Sequence, residues 1–203
     1  MSVFEGTPRF QIVRRLGVGG MGTVFEAFDR ERQLPVALKV LNVESPEALV
    51  RFKREFRALQ SVHHPNLVSL GELFAKDHLW FFTMELVQGV DLLAHIRAEA
   101  TSSSERTTLP RRLDTEPDGM RRVAPFDLAR LRAGFHQLAL GLAALHRQGH
   151  IHRDVKPSNV IVAPDNRVVL LDFGLVREAG AETNDSSPDL VVGTPESMAP
   201  EQA

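Results

Sequence analysis

His152-Arg153-Asp154-Val155-Lys156-Pro157-Ser158-Asn159, followed by Asp172-Phe173-Gly174, is the stretch whose reading decides the fold of this chain. It gathers polar side chains of complementary use into a short span. Asp154 can orient a hydroxyl, Lys156 can neutralise phosphate charge, and Asn159 and Asp172 offer the oxygen ligands that a hard cation such as magnesium requires. Together they are suited to phosphoryl transfer. Identity, spacing and order must all agree for such a pattern, which makes a chance octapeptide remote.

The two segments resemble the signature of the eukaryotic-type protein kinases. The resemblance implies an α+β, bilobal protein-kinase-like fold, with ATP and magnesium in the cleft between the lobes. An N-lobe over residues 10–87 would carry an antiparallel sheet and the αC helix, and an incomplete, mainly helical C-lobe would occupy 88–203. It also implies roles: Asp154 takes the substrate hydroxyl proton, Lys156 stabilises the transferring phosphoryl group, and Asn159 and Asp172 hold metal. The lysine two places after Asp154 is typical of the serine/threonine-specific families, as is Gly193-Thr194-Pro195 ahead of Ala199-Pro200-Glu201. Wording such as Phe52-Lys53-Arg54-Glu55-Phe56 and Pro200-Glu201-Gln202-Ala203 resembles the bacterial members.

Composition sets the outer bounds. With 203 residues, 43% of them hydrophobic, the chain can build a real core in one bilobal unit. Lys+Arg 24 against Asp+Glu 26 leaves a formal charge of -2, so no global basic field points to nucleic acid or an anionic membrane. There is no cysteine, which excludes disulfides, thiolate metal sites and a cysteine nucleophile. No apolar run is long enough to span a bilayer and Met1 to Phe10 has no signal-peptide core, so the expectation is a soluble, cytoplasmic protein.

Upstream, Gly17, Gly19 and Gly22 fall in a G-x-G-x-x-G spacing, with Gly20 between them. Alone, that spacing marks only a glycine turn. A dinucleotide-binding fold needs a helix straight after it, whereas Thr23-Val24-Phe25-Glu26-Ala27-Phe28 alternates like a strand; a dinucleotide-dependent oxidoreductase is therefore disfavoured. Two strands joined by a glycine-rich turn fit better. Val36-Ala37-Leu38-Lys39 resembles the third kinase strand, which implies that Lys39 binds the α- and β-phosphates. Ser45 and Pro46 then open a helix on which Leu49, Phe52, Phe56 and Leu59 form one apolar stripe. Glu55 lies beside that stripe, and the resemblance pairs it with Lys39; otherwise it is an exposed helix glutamate. His64-Pro65-Asn66-Leu67-Val68 resembles the turn before the fourth strand and Trp80-Phe81-Phe82-Thr83-Met84 the fifth, with Glu85-Leu86-Val87 as the hinge. Met84 is then the gatekeeper, and the backbones of Glu85 and Val87 bind the adenine edge. Val24, Ala37 and Ile161 either sandwich the ring or are simply core.

From about 99 to 125 the composition becomes polar and rich in Ser, Pro, Arg and acidic residues, which predicts a flexible insertion. Beyond it, Leu128, Leu131, Phe135, Leu138, Leu142 and Leu145 predict a buried amphipathic helix stopped at Gly149. His146, His150 and His152 crowd together, but without the carboxylate cluster of a zinc enzyme they read as structural, with His152 packing near Phe173.

Leu175 to Val192 corresponds to an activation segment holding Thr183, Ser186 and Ser187, and Arg153 is placed to meet a phosphate there; either this is a phosphorylated switch or a merely polar loop. Ser197 stands where the family usually has an aromatic. The sequence ends shortly after Glu201, covering about three quarters of the family's domain. Loss of the helices that normally follow would leave the Leu128 to Leu145 stripe partly uncovered, which favours self-association through the C-lobe surface. Two readings result: an ATP-dependent kinase that phosphorylates Ser/Thr in a protein substrate, and a catalytically weak, pseudokinase-like ATP-binding interaction module.

Overall fold

A computed structural model describes residues 4–20, 22–42, 45–97, 126–152, 154–172 and 177–178. Apolar runs in the inner strands and a more mixed pattern in the outer ones build a five-stranded antiparallel sheet from β1 (Phe10–Gly19), β2 (Gly22–Asp29), β3 (Leu34–Leu41), β4 (Leu70–Lys76) and β5 (Leu79–Met84), in the order β1-β2-β3-β5-β4. Residues directly opposite each other across such strands share a face. The register sets Val24 against Lys39 and Lys39 against Phe82, and likewise Glu26 against Ala37 and Ala37 against Met84. One face thus carries Val24, Ala37, Lys39 and Met84 together. The other buries Phe25, Leu38 and Phe81 with Phe10 and Phe4. Phe4 lies outside the expected N-lobe boundary at residue 10, yet its ring sits 5.2 Å from that of Phe81.

At the end of this sheet Arg9 reaches the buried carboxylate of Asp29 through Nη2 at 2.8 Å and Nε at 3.0 Å. The backbone amides of Glu31 and Arg32 also donate to it. Arg9, followed by those two amides, holds the Asp29 carboxyl below the usual carboxylate range against the opposing effect of burial.

Helix α1 (Pro46–Gln60) begins as its sequence dictates: Ser45 Oγ accepts from the amide of Ala48 at 3.1 Å and Pro46 occupies the first turn. Its stripe packs on the Lys39 face of the sheet, with Phe56 and Phe82 ring centres 5.2 Å apart. Lys53 lies over the Trp80 ring at 3.6 Å.

The second part comprises β6 (Val90–Asp91), α2 (Leu92–Arg97), α3 (Leu128–Arg147), β7 (His150–Ile151), a 3-10 turn (Pro157–Asn159), β8 (Val160–Val162), β9 (Val168–Leu170) and β10 (Arg177–Glu178). β6, β8 and β9 form one small sheet and β7 pairs with β10. The expected insertion at about 99–125 lies outside the described residues. Helix α3 forms where the leucine spacing places it, and Gly149 ends it at φ +77°, its amide donating to the carbonyl of His146 at 2.9 Å. The buried face differs from the leucine stripe: Gly134, Leu138, Gly141, Ala144 and Leu145 face the core, while Leu128 and Phe135 are exposed. The cause is close approach. A Cβ at Gly141 would stand 3.0 Å from the carbonyl oxygen of Asn66, so the glycine edge, invisible to a count of leucines, is what meets the neighbouring loop.

That loop ties the two parts together. The amide of Val68 donates to Leu170 and the amide of Leu170 to Asn66, both at 3.0 Å. Asn66 Nδ2 donates to the carbonyl of Val168 at 2.7 Å and to Gln137 on α3 at 2.9 Å. The segment after α1 is therefore built into the same core as β9 and α3.

Candidate active site

Within the octapeptide, Asp154, Lys156 and Asn159 turn their polar groups on one another. Asn159, at the end of the 3-10 turn, donates through Nδ2 to the backbone carbonyl and to Oδ2 of Asp154, both at 2.9 Å. Lys156 Nζ lies 2.8 Å from the same Oδ2. Asp154 and Asn159 are both 8% exposed, so these contacts hold in a nearly dry setting where misdirected charge is costly. With its amide nitrogen committed to Asp154, Asn159 keeps Oδ1 as its oxygen for other partners.

His152 fixes where the next segment lies. Its Nδ1 accepts from the amide of Asp154 at 3.4 Å and its Nε2 donates to the carbonyl of Leu171 at 2.9 Å. The amide of Leu171 in turn donates to the carbonyl of Asn159 at 2.7 Å. Asp172 follows directly, at φ +63°, a left-handed conformation uncommon outside glycine. Burial pushes the His152 imidazole below its ordinary pKa, against the pull of the Leu171 carbonyl and of Asp172 and Asp154, and the neutral ring is the form that both bonds require. Asp172 completes the site by pairing with Lys39 of β3. An ion pair between residues so far apart in sequence brings the sheet and the octapeptide loop to a common cleft.

The protein kinase domain family matches residues 10–203. This chain belongs to that family. A probable serine/threonine-protein kinase of Bifidobacterium longum is 32% identical, covering 95% of this chain and 23% of the relative. A serine/threonine-protein kinase of Myxococcus xanthus is 35% identical, covering 96% and 21%. Another, from Mycobacterium bovis, is 33% identical, covering 98% and 31%. The chain thus spans about a fifth to a third of the length of these curated relatives.

Within the kinase fold the remaining expected residues fall as follows. Gly17, Gly19, Gly20 and Gly22 lie at the closed end of the β1–β2 hairpin. They differ in why they are glycine. At Gly22, with φ +144°, a Cβ would stand 1.9 Å from the carbonyl oxygen of Val40, so the fold itself demands glycine. A Cβ at Gly17, Gly19 or Gly20 would meet nothing within 4 Å. Packing does not require glycine there.

Met84 ends β5, and the amide of Glu85 donates to the carbonyl of Ser69 at 2.9 Å. Val87 is half-buried beyond it, as are Val24 on β2 and Ile161 on β8. Glu55 is half-buried on α1. Arg153, Phe173 and the activation segment lie outside the described residues, apart from Arg177–Glu178, and so do Gly193-Thr194-Pro195, Ser197 and Glu201.

Two features escaped the sequence reading. One is the double engagement of His152, expected only as a packing residue. The other is Arg167, which pairs with Glu85. It sits in a polar turn with no local signal that distinguishes it from a solvated arginine. Among the described residues no group of three or more His, Asp or Glu is arranged to hold a metal, and no helix is long and apolar enough to cross a membrane.

Proposed function

We propose that this chain transfers the γ-phosphoryl group of ATP to serine or threonine hydroxyls of proteins. The observation that carries the reading is the convergence of Asp154, Lys156 and Asn159 on one side of the cleft with the Lys39–Asp172 pair on the other. The donor set suits the implied ligands: Asp172 and Asn159 offer hard oxygen atoms for magnesium, and Lys39 and Lys156 offer charge for a polyphosphate. Magnesium, when bound, would neutralise charge developing on the phosphate oxygens.

The residues divide the remaining work. Lys156 and Asn159 hold the Asp154 carboxylate in one orientation, from which it accepts the substrate hydroxyl proton. Lys39 binds the phosphates, and Glu55 on α1 steadies that side of the cleft. Gly17, Gly19, Gly20 and Gly22 let the backbone close over the phosphates. Val24, Ala37 and Ile161 line the adenine, Met84 guards its inner end, and the carbonyl of Glu85 and amide of Val87 read its edge. The Glu85 amide is already bonded to Ser69, which leaves the carbonyl as that residue's group for the base. Serine/threonine preference rests on Lys156 and on the names of the relatives. A cytoplasmic setting, where ATP is plentiful, belongs to the same reading. Exposed Leu128, Phe135 and Leu140 on α3 support self-association, which sedimentation would detect.

The deciding experiment is radiolabelled phosphate transfer from ATP with magnesium to the chain itself and to a generic basic protein. Asp154→Ala should abolish transfer while nucleotide-dependent thermal stabilisation persists. Transfer unchanged in that variant would refute the role of Asp154, and nucleotide binding by the parent chain without transfer would favour the interaction-module reading.

A further inference from the structure

Arg167 occupies the turn between β8 and β9, and its backbone is held on both sides. Its carbonyl accepts from the amide of Ala163 at 2.9 Å and its amide donates to Asp165 Oδ1 at 3.0 Å. From this fixed base the guanidinium spans two other segments. Nη2 donates to Glu85 Oε1, and Nη1 to the carbonyl of Pro65 at 3.3 Å. Both charged side chains are about two-thirds buried, at 32% and 28% exposed. A fork that binds a carboxylate and a carbonyl at once fixes direction as well as distance.

Glu85 is therefore anchored twice, by its amide to Ser69 and by its carboxylate to Arg167. It is also the residue whose carbonyl, in the reading above, accepts from the base. Adenine presents a donor and then an acceptor along the edge that meets Glu85 and Val87. Guanine presents an acceptor and then a donor, so against the same backbone it sets oxygen against oxygen and N–H against N–H. A hinge free to rotate a peptide can re-pair with guanine, and a hinge held in place cannot. Mismatched polar groups left unpaired in a cleft are what give large discrimination.

We propose that Arg167 is a positioning residue for base selectivity: by holding Glu85 from behind, it keeps the Glu85–Val87 backbone in the pattern that admits adenine and rejects guanine. This rests on the reading of that segment as the adenine edge. Nothing in the turn sequence Pro164-Asp165-Asn166-Arg167 suggests the role, which follows only from the two contacts.

The test is binding of ATP and of GTP, each with magnesium, measured by titration calorimetry on the full chain, alongside thermal melting. Parent protein should prefer ATP. Arg167→Met should lower the ATP-over-GTP affinity ratio by about fivefold or more, and the exchange Arg167→Glu with Glu85→Arg should restore most of it. An ion pair that serves stability alone would lower the melting temperature of Arg167→Met and leave the ratio where it was, and that result overturns the proposal. An exchange variant no more selective than the methionine variant overturns it as well. If Arg167→Met does not fold, Arg167→Gln is read by the same criterion. Parent protein that binds both nucleotides equally would remove the adenine reading itself, a failure distinct from that of Arg167.

Discussion

Replacing Lys39 by methionine should separate stability from chemistry. The ammonium is almost wholly buried, with its side chain 6% exposed, and the ion pair it makes is with Asp172, whose side chain is 37% exposed. Methionine keeps the apolar stem and removes the charge. Breaking a fully buried pair costs about 3–5 kcal/mol, whereas an exposed pair contributes about 0–1 kcal/mol. Here the dry partner is the one deleted, so its desolvation cost vanishes with it, and water can solvate the Asp172 carboxylate that remains. The unfolding free energy should therefore change by about 1 kcal/mol or less. Catalysis should respond on a different scale. Loss of one preorganised charge aimed at the transferring phosphates costs about 10²–10³ in rate, equivalent to about 2.7–4 kcal/mol. Urea unfolding and radiolabelled transfer, run on the same preparations, measure the two quantities. A stability loss above about 3 kcal/mol would show that the ammonium is a structural group, and transfer within about tenfold of the parent would remove Lys39 from the phosphate machinery.

Other perturbations probe other links. Because the folded chain disfavours the charged His152 ring, the unfolded chain takes up its proton first as pH falls; stability is complete above about pH 6.5 and declines below it, and equal urea midpoints at pH 7 and pH 5 would contradict this. The lowered Asp29 carboxyl acts in a separate window, its contribution being present above about pH 3.9 and lost as pH falls further. Gly22→Ala should destabilise by about 1–3 kcal/mol or more through its clash with Val40. Gly19→Ala should leave the melting temperature alone and weaken only the stabilisation by ATP with magnesium, so equal effects of the two variants on the nucleotide-free protein would refute the distinction. Asp77 and His78 both adopt left-handed angles, φ +48° and +67°, in the turn between β4 and β5. Replacing them with Asn-Gly should stabilise by about 1 kcal/mol, visible as a higher melting temperature.

What the sequence made legible was local. The octapeptide, the glycine turn, the strand carrying Lys39 and the Ser45 cap each depend on neighbours within a few residues, and each lies where its local pattern places it. What it hid depends on contacts between distant segments. The pairing of Lys39 with Asp172 joins β3 to the end of the chain's small sheet. The buried face of α3 is set by what approaches it: Gly134 and Gly141 carry no side chain to count, yet they admit Leu92 and Asn66. Arg9 and Arg167 look alike in sequence, as arginines in polar company. The structure gives one an aspartate at the sheet edge and the other the glutamate that follows β5.

The bonds between Asn66, Val68, Val168 and Leu170 bear on how the chain can be divided. A cut after Val87 looks natural on paper, at the hinge between sheet and helices. It would assign Asn66 and Val68 to the first fragment, although the Asn66 carbonyl and side-chain amide and the Val68 amide find their partners at Val168 and Leu170 in the second. Each fragment would expose backbone groups that only the other can satisfy. The two pieces should therefore need each other to fold, as split-reporter halves do, and the amides of Val68 and Leu170 should exchange with deuterium together, as members of one cooperative unit.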